Sequence, residues 1–210
     1  MAIEAVLEGG FLHEPATPCG DGLVLTHGAG GNASAPLLLA VADAFASAGF
    51  AVLRYNLPYR QARPHGPPYP SSAAQDRAGL KKAVEWLRGR VSSRVFMSGH
   101  SYGGRQSTML AASEPSLVAG LLLFSYPLHA PSRPADPRTA HFGQLVTPAF
   151  FVHGTRDPFG SIEEMRAALA LLAGRHELAI IEGAAHDLGG KAAAARVAGR
   201  ALEGFREFAG

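Results

Sequence analysis

Short apolar runs alternate with stretches in which apolar residues recur every three or four positions, and the alternation persists through most of the chain. The runs fall at residues 23–26, 50–55, 95–97, 118–124, 148–152 and 176–181, each of a length suited to a strand. The run at 118–124 is almost continuously apolar, as in a parallel strand buried on both faces. Between the runs, Leu37, Leu38, Val41 and Phe45 mark a helix over 36–48, with Pro36 in its first turn and Gly49 ending it. Leu80, Val84 and Leu87 mark a second over 73–90, and a third is expected over 106–112. Ser161 and Glu164 have the spacing of a capping box for a fourth that runs to about residue 173. Val197, Ala201, Phe205 and Phe208 stripe a closing helix. Residues 3–7 and 11–13 read as opening strands split by Gly9-Gly10, as in a hairpin. Strand and helix in alternation predict an α/β fold, a mostly parallel sheet with helices on both faces.

Two stretches break the pattern. Residues 56–72 carry Pro58, Pro64, Pro67, Pro68 and Pro70, which argue against a helix or a central strand, so a long loop is expected. Residues 125–146 hold Pro127, Pro131, Pro134 and Pro137 with little periodicity, and read as a second loop. With no internal repeat or linker, the 210 residues are expected to form one domain, 1–210.

Composition narrows the partners. A 47% hydrophobic and 17% charged chain is globular in character, and a net charge of +2 with no basic block argues against nucleic acid. The lone Cys19 excludes an internal disulfide and fits a reducing compartment. No basic N-terminal region precedes an apolar core, and no apolar run approaches the ~20 residues of a membrane helix. A soluble, cytoplasmic protein without a membrane partner is expected. The pattern sets no oligomeric state.

The chemistry gathers at the ends of the apolar runs. Val95-Phe96-Met97 leads into Gly99-His100-Ser101-Tyr102-Gly103, a G-x-S-x-G turn between a strand and a helix. A serine at the tip of so sharp a turn needs neighbours without side chains, and the first amides of the following helix converge on one point. In a chain with 25 glycines the same five residues are also compatible with a tight turn and an incidental serine, so context decides. Leu23-Val24-Leu25-Thr26 runs into the glycine-rich loop His27-Gly28-Ala29-Gly30-Gly31-Asn32. The strand at 148–152 ends in His153-Gly154-Thr155-Arg156-Asp157, and the strand at 176–181 is followed by Gly183-Ala184-Ala185-His186-Asp187. In such sheets ligands bind beyond the carboxyl ends of the strands, where Ser101, Asp157 and His186 all fall, in that order. A serine needs a base within reach, histidine can take and return the proton, and a carboxylate on the second ring nitrogen fixes the tautomer. Asp187, adjacent to His186, and Asp136, in an irregular loop, fit that carboxylate role less well. His100 is expected to pack in the elbow or line the pocket, His27 to make a structural hydrogen bond, and His153 to brace the aspartate loop. No pair of histidines has metal-ligand spacing with a third ligand, so no metal and no cofactor are expected.

Taken together, His27 to Gly31, Gly99 to Gly104, His153 to Asp157 and His186 resemble the α/β-hydrolase superfamily over nearly the whole chain. The 29–32 loop, Arg54-Tyr55-Asn56-Leu57-Pro58-Tyr59, Gly104-Arg105 and Asp157-Pro158-Phe159-Gly160 resemble its small lidless branch of dienelactone-hydrolase-like and KANSL-type proteins. The resemblance implies a fold with no large cap, and the backbone amides of Ala29 and Tyr102 as oxyanion donors. Dienelactone hydrolases proper carry cysteine where this chain has Ser101, so their substrate is not carried over. The expected activity is hydrolysis of a small acyl ester or thioester through an acyl-enzyme on Ser101, with His186 as base and acid and Asp157 orienting it. The alternative is a non-catalytic binding or scaffolding module that keeps the fold. Segment 56–72 leaves the sheet at the same edge as Ser101 and is expected to wall the site, with Tyr59, Arg60 and Tyr69 on the substrate; a solvated connector is the competing reading.

Overall fold

The computed structural model describes residues 7–210. Seven strands form one sheet: β1 (Gly10–His13), β2 (Gly22–Thr26), β3 (Ala51–Tyr55), β4 (Val95–His100), β5 (Leu121–Phe124), β6 (Ala149–Gly154) and β7 (His176–Ile181). Their order is β1-β3-β2-β4-β5-β6-β7. Only β1 is antiparallel to its neighbour; β2 to β7 are parallel, so the carboxyl ends of six strands share one edge. The described residues also form six α-helices: α1 (Pro36–Ser47), α2 (Pro58–Ala62), α3 (Ala73–Arg88), α4 (Tyr102–Ser113), α5 (Ile162–Leu169) and α6 (Gly190–Ala209).

The period of two along the strands sorts the core into two layers. Val24, Leu53, Met97, Leu123 and Phe151 face one side, where they meet α3, α4 and α5 through Leu80, Val84, Leu110 and Met165. Leu23, Leu25, Val52, Phe96, Leu122, Phe124 and Phe150 face the other, against α1 and α6. Phe205 of α6 anchors that second layer, edge-on to Phe96 with ring centroids 5.1 Å apart and 5.9 Å from Phe45. It is fully buried, and truncating such a phenylalanine to alanine costs about 3–5 kcal/mol. Gly204 lets α6 approach the sheet, since a Cβ there would lie 2.6 Å from Phe150 Cζ.

The sequence pattern needs correcting in places. Segment 56–72 is not all loop: it contains α2 and a 3₁₀ turn over Pro70–Ser72. Pro58 and Pro70 stand at the start of these turns, where the missing N–H has no intrahelical acceptor to lose. The helix after the elbow begins at Tyr102, not four residues later, and α5 ends at Leu169. Residues 3–6 of the opening hairpin lie outside the described residues, Leu7 is not in a strand, and β1 pairs with β3. Ser161 and Glu164 form both hydrogen bonds of the capping box, at 3.2 and 2.8 Å. Among the described residues no cap interrupts the sheet edge, and no helix is long and apolar enough to cross a membrane.

Candidate active site

Ser101 occupies the turn between β4 and α4 with φ 51° and ψ −116°, a left-handed conformation that costs a serine about 1–3 kcal/mol. The turn is held from both sides, by the Ser101 amide donating to Phe124 O at 2.9 Å and the Arg105 amide donating to Ser101 O at 2.9 Å. The flanking glycines are required by close approach. A Cβ on Gly99 would lie 2.5 Å from the Gly103 carbonyl carbon, and one on Gly103 would lie 2.6 Å from His27 O.

The loops after β6 and β7 bring Asp157 and His186 to that serine. His186 Nε2 lies 2.8 Å from Ser101 Oγ, and its Nδ1 lies 2.9 and 2.8 Å from the two Asp157 carboxylate oxygens. Burial pushes the Asp157 carboxyl upward, but its hydrogen bond with His186, aided by the Phe159 amide at 2.9 Å, holds it below the usual carboxylate range. Asp157 therefore stays ionised and accepts from Nδ1–H, leaving Nε2 free to accept from the serine hydroxyl. The Phe159 ring covers the imidazole with centroids 4.2 Å apart. Asp187 bonds the Gly189 amide instead, at 3.0 Å.

Two further histidines support these loops. His100 Nε2 donates to His186 O at 2.8 Å, and burial lowers its pKa to about 4, so it is a neutral donor that fixes the loop bearing His186. His153 Nε2 donates to Gly160 O at 2.8 Å and closes the loop that bears Asp157. His27 accepts from the Leu57 amide at Nε2 (3.2 Å), so its Nδ1–H donates to Gly28 O (2.9 Å); it too is driven by burial to about 4.

Tyr59 and Arg60 are the largest departure from expectation. Neither lines the cavity at Ser101; both are buried behind the 28–31 loop. Tyr59 Oη donates to Gly28 O and Ala29 O at 3.2 and 3.0 Å, and Arg60 donates to Gly31 O and Ala29 O at 2.8 and 3.1 Å. By holding these carbonyls, α2 fixes the loop whose residues Gly28 to Gly31 border the cavity. The Ala29 and Tyr102 amides donate to no protein acceptor among the described residues, and both residues border the cavity. Tyr69 is exposed and stacked under Arg63, 4.0 Å from the ring centroid, so it too is away from Ser101. The proline-rich segment is thus a brace, where a wall was expected.

A residue the motifs did not single out completes the brace. Asp76 of α3, fully buried, accepts from the Tyr59 amide at 3.0 Å and from Tyr102 Oη at 2.7 Å, tying α2 to the residue after Ser101. An acidic residue in the first turn of an otherwise apolar helix face was the available signal.

The cavity itself measures about 500 Å³, which suits a small molecule. Ser101 and His186 open onto it, with Pro127 and Phe159 as apolar wall and Arg105 and Arg138 as its cations. His100 lines it as expected. The two arginines escaped assignment because Arg138 reaches the site only through the folding of residues 125–146.

A mostly parallel sheet wound in this order, with serine, aspartate and histidine on the loops after β4, β6 and β7 at its carboxyl edge, defines the α/β-hydrolase class. The family profile described as the alpha/beta hydrolase domain matches residues 20–204, and the chain belongs to that family. Solved structures share the fold. A dienelactone hydrolase from Anabaena variabilis is 24% identical with a TM-score of 0.75, over 95% of this chain and 91% of that one. Est1E from Butyrivibrio proteoclasticus is 17% identical with a TM-score of 0.74, over 94% and 93%. XC6422 from Xanthomonas campestris, described as an α/β serine hydrolase without a lid, is 17% identical with a TM-score of 0.71, over 94% and 87%.

Proposed function

We propose that this protein is a serine hydrolase that cleaves a small acyl ester or thioester through an acyl-enzyme. The observation that carries the reading is the hydrogen-bonded chain Asp157–His186–Ser101 opening onto the cavity. In this mechanism Ser101 Oγ attacks the carbonyl carbon as its proton passes to His186 Nε2. The oxygen becomes an oxyanion, which the Ala29 and Tyr102 amides stabilise from positions fixed before substrate arrives. Asp157 stabilises the imidazolium without taking its proton. The tetrahedral intermediate collapses, the C–O or C–S bond breaks, and His186 returns the proton to the leaving alcohol or thiol. Water then adds to the acyl-enzyme with His186 again as base, releasing the acid and restoring Ser101.

Hydrolysis of aryl esters of graded acyl length, run beside Ser101→Ala, tests the reading. Turnover that falls by several orders of magnitude in the variant is expected. Wild-type protein that turns over none of the series would return the fold to a binding role, and a variant that matches an active wild type would remove Ser101 as the nucleophile.

A further inference from the structure

Arg105 lies one turn along α4 from Ser101, and its Nε is buried without a hydrogen-bond partner. Its guanidinium makes no ion pair with a carboxylate among the described residues. Arg138, also unpaired there, lines the same cavity from the loop after β5. That loop is anchored: the Arg138 amide donates to Leu128 O at 2.7 Å, its carbonyl accepts from Tyr126 Oη at 2.7 Å, and Nη1 donates to Pro127 O at 3.2 Å. The two arginines are close enough that, after burial, the Arg105 charge is the next cause holding the Arg138 pKa below its ordinary value. Two guanidiniums held beside one half-enclosed cavity, one with an orphaned donor, oppose each other until an anion enters. Planar, charge-assisted recognition of oxyanions is what paired guanidiniums supply.

We infer that Arg105 and Arg138 form an anion subsite, so that the substrate is an acyl ester or thioester bearing a second group, a carboxylate or a phosphate-like oxyanion, beyond the scissile carbonyl. The inference rests on the hydrolase reading for what is cleaved, and on the two arginines alone for what is bound. Arg60, expected on the substrate, cannot take this part, because its donors are spent on backbone carbonyls.

Three 4-nitrophenyl esters of matched length separate the cases: the hemisuccinate, the 3-phosphonopropanoate and the neutral monomethyl succinate, each corrected for spontaneous hydrolysis. The wild-type protein should prefer one of the anionic esters in kcat/KM, and which one identifies the group. In Arg105→Gln that anionic-to-neutral ratio should fall by roughly 10- to 100-fold, the range of a lost charged hydrogen bond, and Arg105→Lys should recover part of it. Equal kcat/KM for all three esters, or a ratio unchanged in Arg105→Gln and Arg138→Gln, would overturn the subsite while leaving the hydrolase intact. Calorimetric titration of succinate and of inorganic phosphate into the intact protein reads binding without turnover. Binding that Arg105→Gln abolishes supports the subsite even if no ester is cleaved, and binding of neither anion by a protein that cleaves none of the esters overturns it.

Discussion

At Ser101, a strained backbone and a poor nucleophile occur together because the same turn causes the first and relieves the second. The positive φ lifts Oγ out of the sheet, and the loops after β6 and β7 deliver a base at 2.8 Å. Asp157 is the residue whose role is most separable from packing, since asparagine keeps its shape. Under the proposed mechanism Asp157→Asn should leave the fold intact and lower kcat by roughly 10⁴, because the amide can favour the wrong imidazole tautomer. Steady-state kinetics beside a circular dichroism melt checks both halves; near-normal turnover would remove Asp157 from its role. These three residues were legible in the sequence because each follows directly on an apolar run. Arg105 stood in plain view beside the elbow, but its meaning depends on Arg138, 33 positions away and brought near only by the folded loop.

Among the elements, α2 shows how local reasoning about proline goes astray. Five prolines suggested an irregular wall, yet Pro58 starts a helix whose Tyr59 and Arg60 hold the 28–31 loop from behind. Which face of a short helix meets the site depends on contacts such as Tyr59 with Asp76, and no spacing rule reports those. The placement predicts a different kinetic signature from a specificity wall. Tyr59→Phe deletes the hydroxyl that holds Gly28 O and Ala29 O, and should reduce kcat/KM by roughly three- to tenfold for neutral and anionic esters alike. A loss confined to anionic esters would place Tyr59 at the substrate after all. The same experiment contrasts with Arg105→Gln, where the ratio between ester classes is expected to move.

For the molecule as a whole, buried neutral histidines tie stability to pH. Burial holds His27 and His100 near a pKa of about 4, against 6.5 for the exposed side chain. Between those values the unfolded chain binds protons that the folded chain does not, so stability falls as pH drops from 6.5 toward 4, by up to about 1.4 kcal/mol per unit for each histidine. Asp157, held below its ordinary value, adds a loss of the same sign at still lower pH. Urea unfolding midpoints should therefore decline steadily from pH 7 to pH 4.5, and a flat profile across that window would contradict the assignment of neutral buried imidazoles. The architecture was readable at this scale because the parallel strands are apolar on both faces and the helices striped. The edge strand was also legible, at residues 11–13, but its pairing was not, because its partner β3 lies far along the chain.

The central claim is that Ser101 is an activated nucleophile, and a fluorophosphonate probe tests it with no assumption about substrate. Intact and peptide-level mass spectrometry after labelling should find one adduct, on Ser101, and none in Ser101→Ala. A folded wild-type protein that carries no adduct, or carries it on another residue, would contradict the account.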